Sequence, residues 1–161
     1  MGPPVPGGSG RPKEETMPTP IVSKGSTTWN GDLFSGKGRT SLDTSGLASF
    51  DVNWKARAEE AGGTTSPEEL IAAAHATCFS MALSNELAQN DTAPNELRTR
   101  AEVTFVAGEG IKGIHLTVDA DVPGISPEDF QRIADAAKVG CPVSQALKGT
   151  EITLTAKLAS A

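Results

Sequence analysis

The chain has 161 residues, 37% of them hydrophobic and 21% charged, with a net charge of −6 and two cysteines. That is enough for one packed domain and thin for two. The acidic balance argues against a nucleic-acid surface, two cysteines are too few for a disulfide-stapled secreted scaffold, and no apolar run reaches the roughly 20 residues that a membrane helix needs.

Ten of the first 20 residues are Gly or Pro. Residues 1–16, MGPPVPGGSGRPKEET, read as a disordered arm or a tag, and residues 17–161 as the folded domain, with Met17 as a natural start. With no apolar stretch at the N-terminus to act as a secretory signal, the expected compartment is cytoplasmic, where a cysteine pair more often does chemistry than staples a fold. Residues 21–29 and 37–42 are β-rich and separated at Asn30-Gly31, a hairpin-turn dipeptide. Phe50, Val52 and Trp54 alternate with polar residues, which predicts a strand with one buried face. Residues 61–65 read as loop.

The period then changes. In Ser66-Pro67-Glu68-Glu69, Ser66 suits the N-cap, Pro67 the first helical position, and Glu69 the closing member of a capping box. Leu70, Ile71, Ala74, Cys78, Met81 and Ala82 follow at helical spacing, and the pattern runs to about residue 90. A helix nearly apolar around its middle belongs in the centre of an assembly rather than on its surface. Strands are expected at 100–106, with Val103 and Phe105 on one face, and at 114–120, with Ile114, Leu116 and Val118 inward and His115, Thr117 and Asp119 outward. Pro123-Gly124 marks a turn. Ser126-Pro127-Glu128-Asp129 repeats the helix-start pattern, with Phe130, Ile133, Ala134 and Ala137 as the buried stripe and Gly140 expected to end the helix as a left-handed cap. Cys141-Pro142 opens a short helical turn through Leu147, and in the last strand, 151–158, Ile152, Leu154, Ala156 and Leu158 point inward. The order β-β-β-α-β-β-α-β, without internal repeat, indicates an α+β fold with antiparallel sheets.

Cys78 lies mid-helix in Ala-His-Ala-Thr-Cys-Phe-Ser, where a small buried thiol is an ordinary core residue. Cys141, between Gly140 and Pro142, opens a helix whose dipole favours thiolate. Spacing alone does not show that the sulfurs meet; a redox pair is the leading chemistry. The competing reading is a zinc site of His75, Cys78, His115 and Cys141, weakened by the absence of a CxxC or HxxxH spacing. Otherwise His75 is expected to make a polar contact at the helix surface.

Residues 66–83, SPEELIAAAHATCFSMAL, resemble the central helix of the OsmC branch of the OsmC/Ohr family. Gly140-Cys141-Pro142-Val143-Ser144-Gln145-Ala146-Leu147-Lys148 is similar to that family's second cysteine motif, and Trp29-Asn30-Gly31-Asp32 with Gly36-Lys37-Gly38 looks like its N-terminal hairpin. The resemblance implies an intertwined homodimer with two long helices at the centre and antiparallel sheets flanking them. It implies a thiol peroxidase for organic hydroperoxides and, more slowly, hydrogen peroxide. Cys78 would attack the peroxide, Cys141 would resolve the sulfenic acid as a disulfide, and an external dithiol, expected to be that of a lipoyl protein, would regenerate the thiols. No cofactor or metal is expected, and neither nucleic acid nor membrane is expected as a partner.

The resemblance also implies an arginine that holds the thiolate, matched to Arg57 in Lys55-Ala56-Arg57-Ala58 at a strand end, with Arg39 of the first hairpin as runner-up, and it gives Glu68 as the arginine's carboxylate partner. The chemistry requires such a group. Only thiolate attacks the O–O bond usefully, a free thiol has a pKa of about 8.5, and burial raises it. A guanidinium stays charged and supplies the missing stabilisation. Helix dipole alone would instead select Cys141 as the attacking thiol. Phe79, Met81, Leu83, Val143 and Leu147 suit a substrate with a hydrocarbon tail, although a simple apolar core explains them equally well. The alternative from another class is a redox sensor or binding module that uses the same disulfide without rapid turnover.

Overall fold

A computed structural model describes residues 17–60 and 62–159; the arm expected over residues 1–16 lies outside them. Along the described residues run β1 (Gly25–Asn30), β2 (Lys37–Leu42), β3 (Ser49–Val52), α1 (Trp54–Ala58), α2 (Pro67–Gln89), β4 (Glu96–Val106), β5 (Gly110–Asp121), α3 (Pro127–Gly140), α4 (Pro142–Ala146) and β6 (Ile152–Leu158).

The long helix α2 organises the rest. Ser66 caps it, accepting the Glu69 N–H on its hydroxyl at 3.2 Å, and Pro67 takes the first position. The capping box is only half formed, because the Glu69 carboxylate accepts the Thr65 hydroxyl at 2.8 Å. The face that α2 buries is not the one expected. His75, Phe79, Leu83 and Leu87, four residues apart in turn, are fully buried, whereas Met81 is 69% exposed. A helix that is apolar nearly all round does not announce which face its own chain covers. Phe79, Leu83 and Leu87 pack with Leu116, Val118 and Ala120 of β5 and with Phe130, Ile133, Ala134 and Ala137 of α3, the last four as the sequence predicts.

The described residues form two three-stranded sheets. β1, β2 and β3 pair antiparallel in chain order, with Gly31 (φ 92°) in the turn after Asn30. In the second sheet β4 and β5 form a long antiparallel hairpin, but β6 pairs with β5 in parallel, which corrects the expectation of purely antiparallel sheets. The crossover through α3 and α4 returns the chain to the starting end of β5, so β6 runs alongside it.

Two further expectations change. Trp54 does not continue the strand of Phe50 and Val52; it opens α1, capped by Asn53, whose side chain accepts the Ala56 N–H at 2.8 Å. Gly140 is the last residue of α3 rather than a left-handed cap. Pro142 stops that helix, since the residue before a proline is pushed to extended geometry, and Cys141 has φ −57° and ψ 124°. No helix among the described residues is long and apolar enough to cross a membrane.

Candidate active site

Both cysteines are free, Cys78 half-buried on α2 and Cys141 fully buried at the junction of α3 and α4. The two thiols are neighbours: Cys78 packs against the core cluster that contains Cys141, and Cys141 is among the groups that shift the Cys78 thiol. Burial pushes the Cys78 thiol above its ordinary value, and Cys141 adds to the rise; the Val143 backbone N–H, donating to the Cys78 sulfur, opposes it. Val143 sits in the first turn of α4. The helix start that Cys141 opens therefore directs an amide at Cys78, so the dipole argument that singled out Cys141 works in favour of the other sulfur.

His75 is not a surface residue. It is fully buried one turn before Cys78, with Nε2 2.7 Å from Ser144 Oγ on α4, and burial holds its pKa below the usual histidine value. His115 is on the outward face of the β4–β6 sheet, where its ring nitrogens meet the Thr153 and Thr155 hydroxyls at 2.6 and 3.0 Å. The zinc set is thereby divided between opposite faces of that sheet, and no group of three His, Cys, Asp or Glu among the described residues is placed to hold a metal ion.

Arg57 and Glu68 form the second cluster. Arg57 lies on α1 rather than at a strand end. Its Nε reaches both Glu68 oxygens, at 2.9 and 3.2 Å, and its Nη2 lies 2.9 Å from Oε1. Glu68 is 5% exposed and lies in the first turn of α2. The guanidinium also stacks 4.4 Å above the Phe105 ring, which meets Trp54 edge-on at 6.1 Å, and Trp54 in turn meets Phe34 at 5.9 Å. An aromatic chain from the first hairpin to β4 thus fixes the arginine. The guanidinium borders a cavity of about 510 Å³ with Trp29, Leu33, Val52, Trp54 and Leu70 in its walls. Arg39 is instead paired across strands with Asp51 at 2.7 Å, both side chains mostly exposed.

Within one chain the two clusters stay apart. The groups that set the Cys78 thiol are Cys141, Val143 and burial; Arg57 is not among them. The expected substrate surroundings also divide, since Phe79 and Leu83 are core and Met81 faces outward. The stacking partner Phe105, the Val143 amide and Ser144 were not visible as site residues. Only Ser144 leaves a trace in sequence, standing three residues after one cysteine as His75 stands three before the other.

Comparison with known proteins places these motifs in context. The model of the family described as "OsmC-like protein" matches residues 60–157. The chain is 44% identical over 143 residues to peroxiredoxin OsmC of Escherichia coli, covering 87% of this chain and 99% of that one. It is 36% identical over 96 residues to an organic hydroperoxide resistance protein of Xanthomonas axonopodis, covering 58% and 68% of the two chains. The crystal structure of the organic hydroperoxide resistance protein OhrB of Bacillus subtilis superposes with a TM-score of 0.60 at 26% identity, covering 86% of this chain and 98% of that one.

Proposed function

This chain belongs to the OsmC-like family, and we propose that it reduces organic hydroperoxides through a Cys78 sulfenic acid and a Cys78–Cys141 disulfide. It is a peroxide-detoxifying redox protein, a cysteine peroxidase. The observation that supports the detailed mechanism is the proximity of two free thiols from distant parts of the chain. Cys78 is the more exposed of the two and receives the Val143 N–H, which supports it as the attacking sulfur.

The Cys78 thiolate attacks the terminal peroxide oxygen. The O–O bond breaks, two electrons pass from sulfur to peroxide, and the alkoxide leaves as the alcohol after taking a proton. Cys78 becomes a sulfenic acid. The Cys141 sulfur then attacks the Cys78 sulfur, the S–O bond breaks, and hydroxide leaves as water with the Cys141 proton. A dithiol, for which a lipoyl protein is the candidate, reduces the disulfide by exchange and is itself oxidised. The cytoplasm is the compartment this cycle calls for. Arg57, held by Glu68, is the group that would stabilise thiolate and developing alkoxide. The aromatic and aliphatic walls of the adjoining cavity suit a hydrocarbon tail.

We infer that the complete site takes residues from two copies of the chain. All of β1 is exposed, as are Phe34 of the following loop at 78% and Met81 of α2 at 69%, and these uncovered apolar side chains support homodimer formation. The second reading, a sensor on the same disulfide, rests on the same proximity of the sulfurs. Cumene hydroperoxide with a dithiol donor separates them. Sustained turnover, an intramolecular Cys78–Cys141 disulfide after one equivalent of oxidant, and loss of both in Cys78→Ser are the expected results. Consumption of one equivalent per subunit and then none would favour the sensor. Thiols inert to hydroperoxide would overturn both.

A further inference from the structure

We propose that His75 and Ser144 form a clasp that holds α4 against α2 and positions Cys141 for disulfide closure. The proposal rests on the disulfide mechanism above. His75 precedes Cys78 by three residues on α2, and Ser144 follows Cys141 by three, on α4. Three residues are nearly one helical turn, so the sulfur pair and the His75–Ser144 bond are two rungs between the same two helices. α4 has only five residues, and Ser144 is the one that it buries. A single turn of helix has little intrinsic stability, so its position depends on such contacts.

The clasp is an unusual choice for this place. Its neighbours along the buried face of α2 are Phe79, Leu83 and Leu87. An apolar side chain at position 75 would continue that core at no polar cost. The imidazole is instead fully buried, its Nε2 bonded to Ser144 at 2.7 Å and its Nδ1 without a hydrogen-bond partner among the described residues. A half-satisfied polar group is a poor way to stabilise a core. What it adds is direction: one bond of fixed geometry between the helix that carries the attacking sulfur and the helix that carries the resolving one. Closure needs such direction, because a disulfide tolerates only a narrow range of Cα separation and torsion, and small displacements of reacting groups slow a reaction steeply.

The reaction offers a readout that a merely structural residue would not move. After attack, the Cys78 sulfenic acid either condenses with Cys141, releasing water, or reacts with a second hydroperoxide to give sulfinic acid and a second alcohol. The ratio of disulfide to sulfinic product at a fixed hydroperoxide concentration, read by intact mass spectrometry, measures closure directly. Ser144→Ala should shift that ratio towards sulfinic acid by at least about tenfold, and Ser144→Thr, which keeps the hydroxyl, should restore most of it. His75→Phe, which preserves bulk and apolarity, should shift it in the same direction, with thermal denaturation run alongside to confirm folding. If wild type closes its disulfide and the ratio in folded Ser144→Ala stays within about twofold of it, the clasp is overturned while the mechanism stands. If wild type forms no disulfide, the mechanism falls and the positioning role falls with it.

Discussion

Arg57 carries more structure than its single charge suggests. It grips Glu68 with two nitrogens, stacks on Phe105 and borders the apolar cavity, so its loss removes both a cation and the partner of a buried carboxylate. Since burial and Cys141 keep the Cys78 thiol high within one chain, a guanidinium delivered to it should lower its pKa. Attack by thiolate gains rate as pH rises and levels off above the thiol pKa. Arg57→Ala should move that rising limb to higher pH and slow hydroperoxide consumption near neutrality by at least about tenfold, in a stopped-flow pH series. Arg39→Ala, which breaks only an exposed pair, should behave as wild type. The reverse outcome would place the guanidinium in the first hairpin. His75 makes a separate prediction about stability. Burial lowers its pKa from 6.5, so above that value folded and unfolded chains both hold it neutral. As pH falls below 6.5 the unfolded chain takes up a proton that the folded chain refuses, and stability is lost. One unit below, the loss from this group is at most about 1.4 kcal/mol. His75→Phe should lose less stability than wild type between pH 7.5 and 5.5, measured by denaturant titration at both values. An equal loss in both proteins would show that His75 does not resist protonation.

At the scale of elements, what the sequence reveals depends on whether the deciding interaction is local. The starts of α2 and α3 are local, fixed by Ser-Pro-Glu at the cap, and the stripe of α3 is legible because polar residues occupy its other faces. The bounds of β2 are likewise those of its pattern. Short α1 was hidden because the alternation of Phe50 and Val52 continues by coincidence into Trp54, while its real cause, the Asn53 cap, is a single hydrogen bond. β4 and β5 are longer than their apolar alternation, because the hairpin extends by backbone pairing through residues such as Arg98 and Asp121 whose side chains face water. A period of two is the same in parallel and antiparallel strands, so the direction of β6 could only follow from the crossover before it. The site divides in the same way. Residue types and the two motifs point to thiol chemistry through resemblance, but the meeting of Cys78 with Cys141 and the burial of His75 are products of packing. The one sequence cue to that burial is the alignment of His75 with Phe79, Leu83 and Leu87 at intervals of four, obscured by the alanines around it.

The whole molecule raises a problem of distance that a second copy would resolve. Glu68 and Cys78 are ten residues apart on the unbroken helix α2, which separates their backbones by about 15 Å along the axis and about 80° around it. Arg57 is committed to Glu68 and Phe105 at the far end. An antiparallel pairing of two α2 helices across a two-fold axis would bring the start of each near the middle of the other, as an isologous interface requires. The exposed side of α2, where Met81 lies, and the open sheet of β1–β3 are the surfaces free to make that contact. Each dimer would then hold two sites, with the cysteines from one chain and the Arg57–Glu68 pair from the other. Mixed dimers test the arrangement. Glu68→Ala and Cys78→Ser homodimers should each be poorly active, the first because Arg57 loses its anchor and the second because it lacks the nucleophile. Refolded together, they should form a heterodimer in which Cys78 of the Glu68→Ala chain faces an intact Arg57–Glu68 pair on the Cys78→Ser chain. One site in two is then complete, and heterodimers isolated by differential tagging should recover up to about half the wild-type rate. Heterodimers that form but remain as slow as their parents would mean that each site is built within a single chain, and that α1 must move to bring Arg57 to Cys78.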